Sequence, residues 1–220
     1  MNSTSPQVSI IMAVYNRDFS IVKRALDSVM AQDFKNFELI IIDDGSDVAL
    51  GRDILDYGVL HEDQLTYIRH KNIGQVFSVN KAIMISAAPY IGFIDSDDEY
   101  KPNHISTCLS SIEDYDLIAS TTENIVTCEE DLFVPCKNNP ADYIFIDDCI
   151  AFGSLFGKRE VFENVQFRNI VGFDPDFYER AGERYRTKKL DLRTYRYYMG
   201  LPDSNTAKKR KLREGLASVQ

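Results

Sequence analysis

Apolar runs that stop abruptly in polar residues punctuate the first half of the chain. Val8–Val14 gives way to Tyr15-Asn16-Arg17-Asp18, Phe37–Asp43 ends in Asp43-Asp44-Gly45-Ser46, and 90–94 ends in Asp95-Ser96-Asp97-Asp98. Such short continuous runs predict strands buried on both faces, as in a parallel sheet. Between them the period changes. Ile21, Val22, Ala25, Leu26, Val29 and Met30 recur at helical spacing through to Ala31, and Ser20 is suited to cap that helix. Residues 52–60 predict a second helix, Leu65–Arg69 a short third strand, and Asn72-Ile73-Gly74 a turn opening a helix over 75–87. The β-α-β-α-β-α-β order predicts an α/β fold, a Rossmann-like, doubly wound and mostly parallel sheet with right-handed crossovers. Ligands of such sheets bind beyond the carboxyl ends of the strands.

The second half is less regular. Pro102 opens a helix running to Ile112, 116–120 reads as a strand, and 124–128, 132–135 and 143–146 read as short antiparallel strands. A helix over 158–162, another over 178–184 and an extended, aromatic-rich segment over 190–198 follow. Tyr195, Tyr197 and Tyr198 are expected to pack rather than to stack on a ligand.

With 220 residues and 44% hydrophobic content, the chain can bury one substantial core. We expect one domain over 1–206, divided near residue 100, and a basic tail over 207–220 carrying Lys208-Lys209-Arg210-Lys211 and Arg213. No apolar stretch approaches the ~20 residues of a membrane span. Cys108, Cys128, Cys136 and Cys149 lie far apart, without zinc-site spacing, so reduced thiols and a cytoplasmic setting are expected. The formal charge of −9 argues against nucleic acid as a partner. His61, His70 and His104 are isolated and expected to be surface or internally satisfied residues.

Three polar clusters therefore fall at one sheet edge: Tyr15-Asn16, Asp43-Asp44, and Asp95 with Asp97 and Asp98. Each alone reads as a solvated turn as readily as a site. Converging on one crevice, they point to a site. Carboxylates this close repel one another unless a cation sits among them, and a hard divalent ion with oxygen ligands is such a partner. Alternation in extended chain sends Asp95 and Asp97 to the same side, with Ser96 opposite.

In these motifs the chain resembles family 2 glycosyltransferases of the GT-A fold. The resemblance rests on Val8 to Arg17, Ile40 to Ser46, Asn72-Ile73-Gly74 with Asn80, and Phe93 to Asp98, in that order. It is firm over the first half and loose over the second. It implies a nucleotide-sugar binding half over about 1–100 and an acceptor half over about 101–206, with a smaller mixed layer of strands.

The resemblance also implies a metal-dependent, inverting transfer of a sugar from a nucleoside-diphosphate donor, with UDP expected, to a glycan or lipid-linked acceptor, as in cell-surface polysaccharide synthesis. Val14, Tyr15, Asn16, Asp43, Asp44, Asn80 and Asp95 would hold the donor. Asp97 would coordinate Mg²⁺ or Mn²⁺, with Asp95 as second ligand or ribose contact, while Asp98 either ligates or caps the following turn.

Many relatives carry Ala-Arg-Asn where this chain has Ser78-Val79-Asn80, so either the metal and Lys81 or another cation take over the charge on the diphosphate, or donor binding is weaker here. For the base we take Asp176, with Asp174, Glu179 and Glu183 as competitors; Gly153 to Phe156 would let a sugar approach the backbone. The tail is either a solvated helix end or a peripheral contact to anionic lipid at the inner membrane face. Two further readings stand beside this one: a non-catalytic nucleotide- or carbohydrate-binding module, and a nucleotidyltransferase, which the lack of a glycine-rich basic loop disfavours. Oligomeric state is not legible.

Overall fold

A computed structural model of the chain describes residues 5–136, 139 and 142–199. The expected alternation forms as β1 (Val8–Val14), α1 (Phe19–Met30), β2 (Phe37–Asp43), α2 (Val48–Val59), β3 (Leu65–Arg69), α3 (Gln75–Ile85) and β4 (Tyr90–Phe93). After it come β5 (Glu99–Tyr100), α4 (His104–Ser111), β6 (Leu117–Ser120), β7 (Glu123–Ile125), β8 (Phe133–Pro135) and β9 (Tyr143–Phe145). The described chain closes with β10 (Leu155–Lys158), α5 (Arg159–Val165), α6 (Phe173–Gly182), β11 (Thr187–Leu190) and β12 (Tyr195–Tyr198).

The central sheet has seven strands in the order β11-β6-β10-β4-β1-β2-β3. β1 pairs parallel with β2 and β4, β2 with β3, and β6 with β11, while β10 runs antiparallel to β4 and β6. The chain winds outward from β1 through β2 to β3 and returns to β4 on the other side. That reversal opens a crevice beyond the ends of β1 and β4, where open α/β sheets bind ligands.

Successive residues of β1 serve opposite cores, as a strand period of two requires. Ile10 and Met12 pack with Val22, Leu26, Leu50, Ile54 and Ile105 from α1, α2 and α4. Ile11 packs with Val76, Val79, Val161, Phe162 and Phe177 from α3, α5 and α6. Each such fully buried aliphatic side chain contributes about 1.5–3 kcal/mol. The second core holds a cluster of phenylalanines: the Phe167 ring lies 4.3 Å from Phe177, and Phe162 lies 5.2 Å from it, which seats α6 against α5.

Several boundaries differ from expectation for local reasons. Asp18, not Ser20, caps α1, its carboxylate accepting from the Ser20 N–H at 2.8 Å. Asp47 caps α2, which starts four residues earlier than the apolar spacing indicates. α6 starts at Phe173 rather than 178, because Pro175 falls in its first turn, where a missing N–H costs nothing. The extended stretch over 190–198 is two strands in different sheets, separated by Arg193 at φ 49°. β7 pairs parallel with β12 instead of joining an antiparallel set, whereas β8 and β9 do pair antiparallel. β12 also pairs with β5, giving the smaller mixed layer. Among the described residues no helix is long and apolar enough to cross a membrane. The basic segment from 207 lies outside the described residues.

His104 is buried at the head of α4, stacked 3.9 Å from Tyr100 with Nδ1 2.7 Å from the Thr194 hydroxyl. Burial pushes its imidazole down to about 3. The unfolded chain takes up this proton near pH ~6.5, so the stability gained from a neutral His104 is complete above that pH and lost below it. Between pH 7 and pH 5, urea unfolding should show the wild type losing about 2 kcal/mol more than His104→Gln. Equal losses would contradict a neutral, buried imidazole.

Candidate active site

The loops after β1 and β2 are tied to each other before they meet any ligand. The Asp44 N–H donates to the Val14 carbonyl at 2.9 Å, and the Asp44 carboxylate accepts the Ile73 and Gly74 N–H groups at 2.8 and 2.9 Å, fixing the entry to α3. Gly45 sits at φ +85°, and a Cβ there would lie 2.6 Å from the Asn72 nitrogen, so both conformation and space require glycine. The Asn16 N–H donates to Ser46 Oγ at 3.0 Å, and its own Oδ1 accepts from the Asp47 N–H at 2.8 Å.

Asp43 is fully buried. Its carboxylate accepts from the Tyr67 hydroxyl at 2.6 Å and the Ser46 N–H at 2.7 Å, with Arg69 Nε at 3.5 Å.

The acidic loop after β4 is held from a distant part of the chain. Asp98 accepts from the Tyr195 hydroxyl at 2.7 Å and from the Tyr198 N–H at 2.8 Å, so both its oxygens are engaged. The same Tyr195 oxygen accepts the Asp95 N–H at 3.1 Å. Tyr195 reaches this position because Gly153 has no side chain: a Cβ there would sit 2.1 Å from the hydroxyl. From below, the Arg24 guanidinium stacks 3.7 Å over the Tyr198 ring, donates to the Asp97 carbonyl and faces Glu99.

The charges above this clamp are strained against one another. Enclosure by protein raises the Asp95 carboxyl to about 7, aided by the nearby charges of Asp97 and Asp174 and opposed by the Gln75 amide and Arg17. Burial, then Asp95 and Asp97, push Asp98 well above the usual carboxylate range. Asp97 Oδ2 pairs with Arg17 at 2.9 Å.

These groups open onto a cleft of about 1670 Å³. Of the residues singled out in the sequence, Val14, Tyr15, Asp44, Asp95, Asp97, Asp98, Asp174 and Glu179 line it. Asn16, Asp43, Asn80, Asp176 and Glu183 do not. The Asn80 amide instead grips the backbone of Phe167, donating at 2.8 Å and accepting at 3.0 Å.

Asp176 accepts from Arg180 Nε at 2.8 Å, and the rest of that guanidinium donates to the carbonyls of Val165 and Gln166. The cause is the earlier start of α6. Asp174 and Tyr178, four residues apart, share its cleft face, Phe177 and Ala181 enter the core, and Asp176 and Arg180 share another side. Glu183 is exposed at the end of the helix.

Sequence reasoning did not single out Arg17, Tyr195 as an anchor, or Lys189, whose ammonium donates to the Asp147 and Cys149 carbonyls in the cleft wall. The Gly153 signal was visible, but what approaches that backbone is a tyrosine ring.

The chemistry of the lining suits a cation. Seven aspartates and three glutamates face the cleft against one arginine and one lysine. Among the described residues no trio of His, Cys, Asp or Glu forms a ready-made cage. With Asp98 fully engaged, Asp97 and Asp95 remain as oxygen donors. One or two carboxylates, completed by water and substrate phosphates, is the set with which Mg²⁺-like ions are held.

Comparison with known proteins agrees in fold. The family model for glycosyl transferase family 2 matches residues 9–157. A putative colanic acid biosynthesis glycosyl transferase of Escherichia coli K12, WcaA, is 32% identical over 165 residues, 74% of this chain and 57% of that protein. An uncharacterised glycosyltransferase of Methanocaldococcus jannaschii is 29% identical over 189 residues, 80% of this chain and 64% of that one. The chain thus spans under two thirds of these relatives. Mannosyltransferase PcManGT of Pyrobaculum calidifontis, solved with GDP-Man and Mn²⁺, superposes with a TM-score of 0.71 at 14% identity, over 96% of this chain and 61% of that one. TarS 1–349 of S. aureus with UDP gives 0.68 at 17% identity, over 87% and 60%.

The anchoring of the acidic loop is open to test. Tyr195→Phe removes one hydroxyl that serves both Asp98 and the Asp95 N–H. Chemical denaturation should show a loss of about 1–3 kcal/mol, the cost of leaving buried polar groups unpaired. An unchanged stability would mean that these contacts do not hold the loop.

Proposed function

The chain belongs to glycosyl transferase family 2, and from that membership we propose that it is a metal-dependent, inverting glycosyltransferase. It would move a sugar from a nucleoside-diphosphate donor, UDP-sugar by preference, to a glycan or lipid-linked acceptor, as in cell-surface polysaccharide synthesis. The observation that carries this reading is the meeting of Asp95, Asp97 and Asp174 in one cleft at the crevice of the sheet. TarS has been solved with UDP and with UDP-GlcNAc, and PcManGT with GDP-Man and Mn²⁺, which supports a nucleotide-sugar donor and a divalent ion here. The name of WcaA supports a polysaccharide setting.

The division of labour follows from placement. Val14, Asp44 and the exposed ring of Tyr15 form the nucleoside end, where an aromatic face can pack on a base. Asp43 and Asn16 act beneath it by holding the loop, and Asn80 by fixing Phe167 beside α6. Asp97, with Asp95, would hold Mg²⁺ or Mn²⁺, and that ion, when bound, offsets charge developing on the leaving nucleoside diphosphate.

Asp174 replaces Asp176 as the base, since it alone of the two faces the cleft. Its carboxylate takes the proton of the acceptor hydroxyl as that oxygen bonds to the anomeric carbon and the bond to the diphosphate oxygen breaks. A single displacement of this kind inverts the anomeric centre. The basic segment near 208–213 remains the proposed contact for a peripheral position at a membrane face.

Calorimetry with UDP, with and without Mn²⁺, should show a metal-dependent component that Asp97→Ala removes; metal-independent binding equal in both proteins would contradict the assignment. With donor binding retained, Asp174→Asn should lower kcat by roughly 10²–10⁴. Asp176→Asn should lower thermal stability while turnover persists. The opposite pattern would restore Asp176 as the base.

A further inference from the structure

Arg17 is the cation of the cleft lining at the donor end. Lys189, the other lining cation, is engaged by two carbonyls, Lys81 is exposed and outside the lining, and Arg24 lies beneath the loop against Tyr198. Arg17 is also aimed. Asn16, held at φ 44° by bonds to Ser46 and Asp47, precedes it, and Asp18, fixed as the cap of α1, follows it. Between these two anchors its guanidinium pairs with Asp97 Oδ2 at 2.9 Å, and both side chains are about four-fifths buried, at 21% and 18% exposure.

A guanidinium stays charged at any physiological pH. It therefore supplies Asp97 with a counter-ion before any metal arrives. A divalent cation binding to the same carboxylate must displace it or bear its repulsion.

We propose that Arg17 competes with the incoming divalent cation for Asp97 and passes to the donor diphosphate when the cation binds, so that metal and nucleotide bind cooperatively. Without nucleotide, the displaced guanidinium would lose its Asp97 partner with no phosphate to replace it, and metal binding alone is weak. With a nucleoside diphosphate present, its planar fork of donors finds phosphate oxygens, the bidentate geometry that arginine suits best. The displaced charge then adds to nucleotide affinity, and by linkage nucleotide adds equally to metal affinity. This gives the diphosphate a cationic partner within the cleft lining. The inference rests on Asp97 as the cation ligand.

The test reads binding, not turnover. Free Mn²⁺ is followed by its electron paramagnetic resonance signal, without nucleotide and with saturating UDP, for the wild type, Arg17→Gln, Arg17→Lys and Asp97→Asn. UDP should tighten Mn²⁺ binding to the wild type by a factor in the range of about 5–150, as couplings between sites commonly do. Arg17→Gln should bind Mn²⁺ alone at least about threefold more tightly and keep less than about a third of that coupling. Arg17→Lys, which keeps the charge but not the fork, should fall between.

Thermal melts of all four proteins establish that they are folded. If Arg17→Gln binds Mn²⁺ no more tightly than wild type and keeps the coupling while Asp97→Asn loses Mn²⁺, Arg17 has no part in the exchange and only this proposal fails. If Asp97→Asn binds Mn²⁺ as wild type does, the ligand assignment fails and the competition fails with it.

Discussion

Asp98 is a carboxylate taken out of water at the end of β4, and such a group is costly to bury unless its oxygens are met by donors. Both donors come from β12, nearly a hundred residues away: the Tyr195 hydroxyl and the Tyr198 N–H. The tyrosine oxygen then accepts the Asp95 N–H, so one buried network sets the direction in which the whole Asp95 to Glu99 loop leaves the sheet. β12 is itself held by pairing with β5 and β7, and the ring of Tyr195 fits only against the bare backbone of Gly153. The acidic loop is thus built by tertiary structure.

From that constraint the electrostatics of the cleft follow. Asp98 is used for anchoring, which leaves Asp95 and Asp97 facing the opening, and α6 brings Asp174 toward the same space. Like charges gathered in this way need a counter-ion. Arg17 supplies part of it to Asp97, and a donor diphosphate, itself anionic, could enter only with further positive charge. A divalent ion meets both needs. The proposed roles separate along the cleft: nucleoside at the ends of β1 and β2, cation at Asp97, and base at Asp174 on the acceptor side.

The first half was largely legible in the sequence because β1, β2 and β4 are buried on both faces and so read as continuous apolar runs. The run of Ile40, Ile41 and Ile42 leading into Asp43 and Asp44 is an example. The three polar clusters fell at the predicted edge, yet which carboxylates face outward did not follow from adjacency. Asp43 turns inward to Tyr67, and Asp98 to Tyr195, through hydrogen bonds to residues 24 and 97 positions away. The placement of the acids around Pro175 was not legible because the helix was expected to start at 178, whereas Pro175 lies in the first turn of α6, and a helix sends Asp174 and Asp176 in different directions. Arg17 stood in plain view within Tyr-Asn-Arg, but its partner, 80 positions on, could be found only once the loops were placed.

The most direct test of the whole account is a crystal grown with Mn²⁺ and UDP and measured at a wavelength where manganese scatters anomalously. One strong anomalous peak is expected between the Asp97 carboxylate and the UDP diphosphate, with Asp98 still bonded to Tyr195 and the Arg17 guanidinium turned onto the phosphates. A diphosphate bound with no manganese at Asp97, or manganese held by Asp98 in place of its tyrosine contacts, would contradict it.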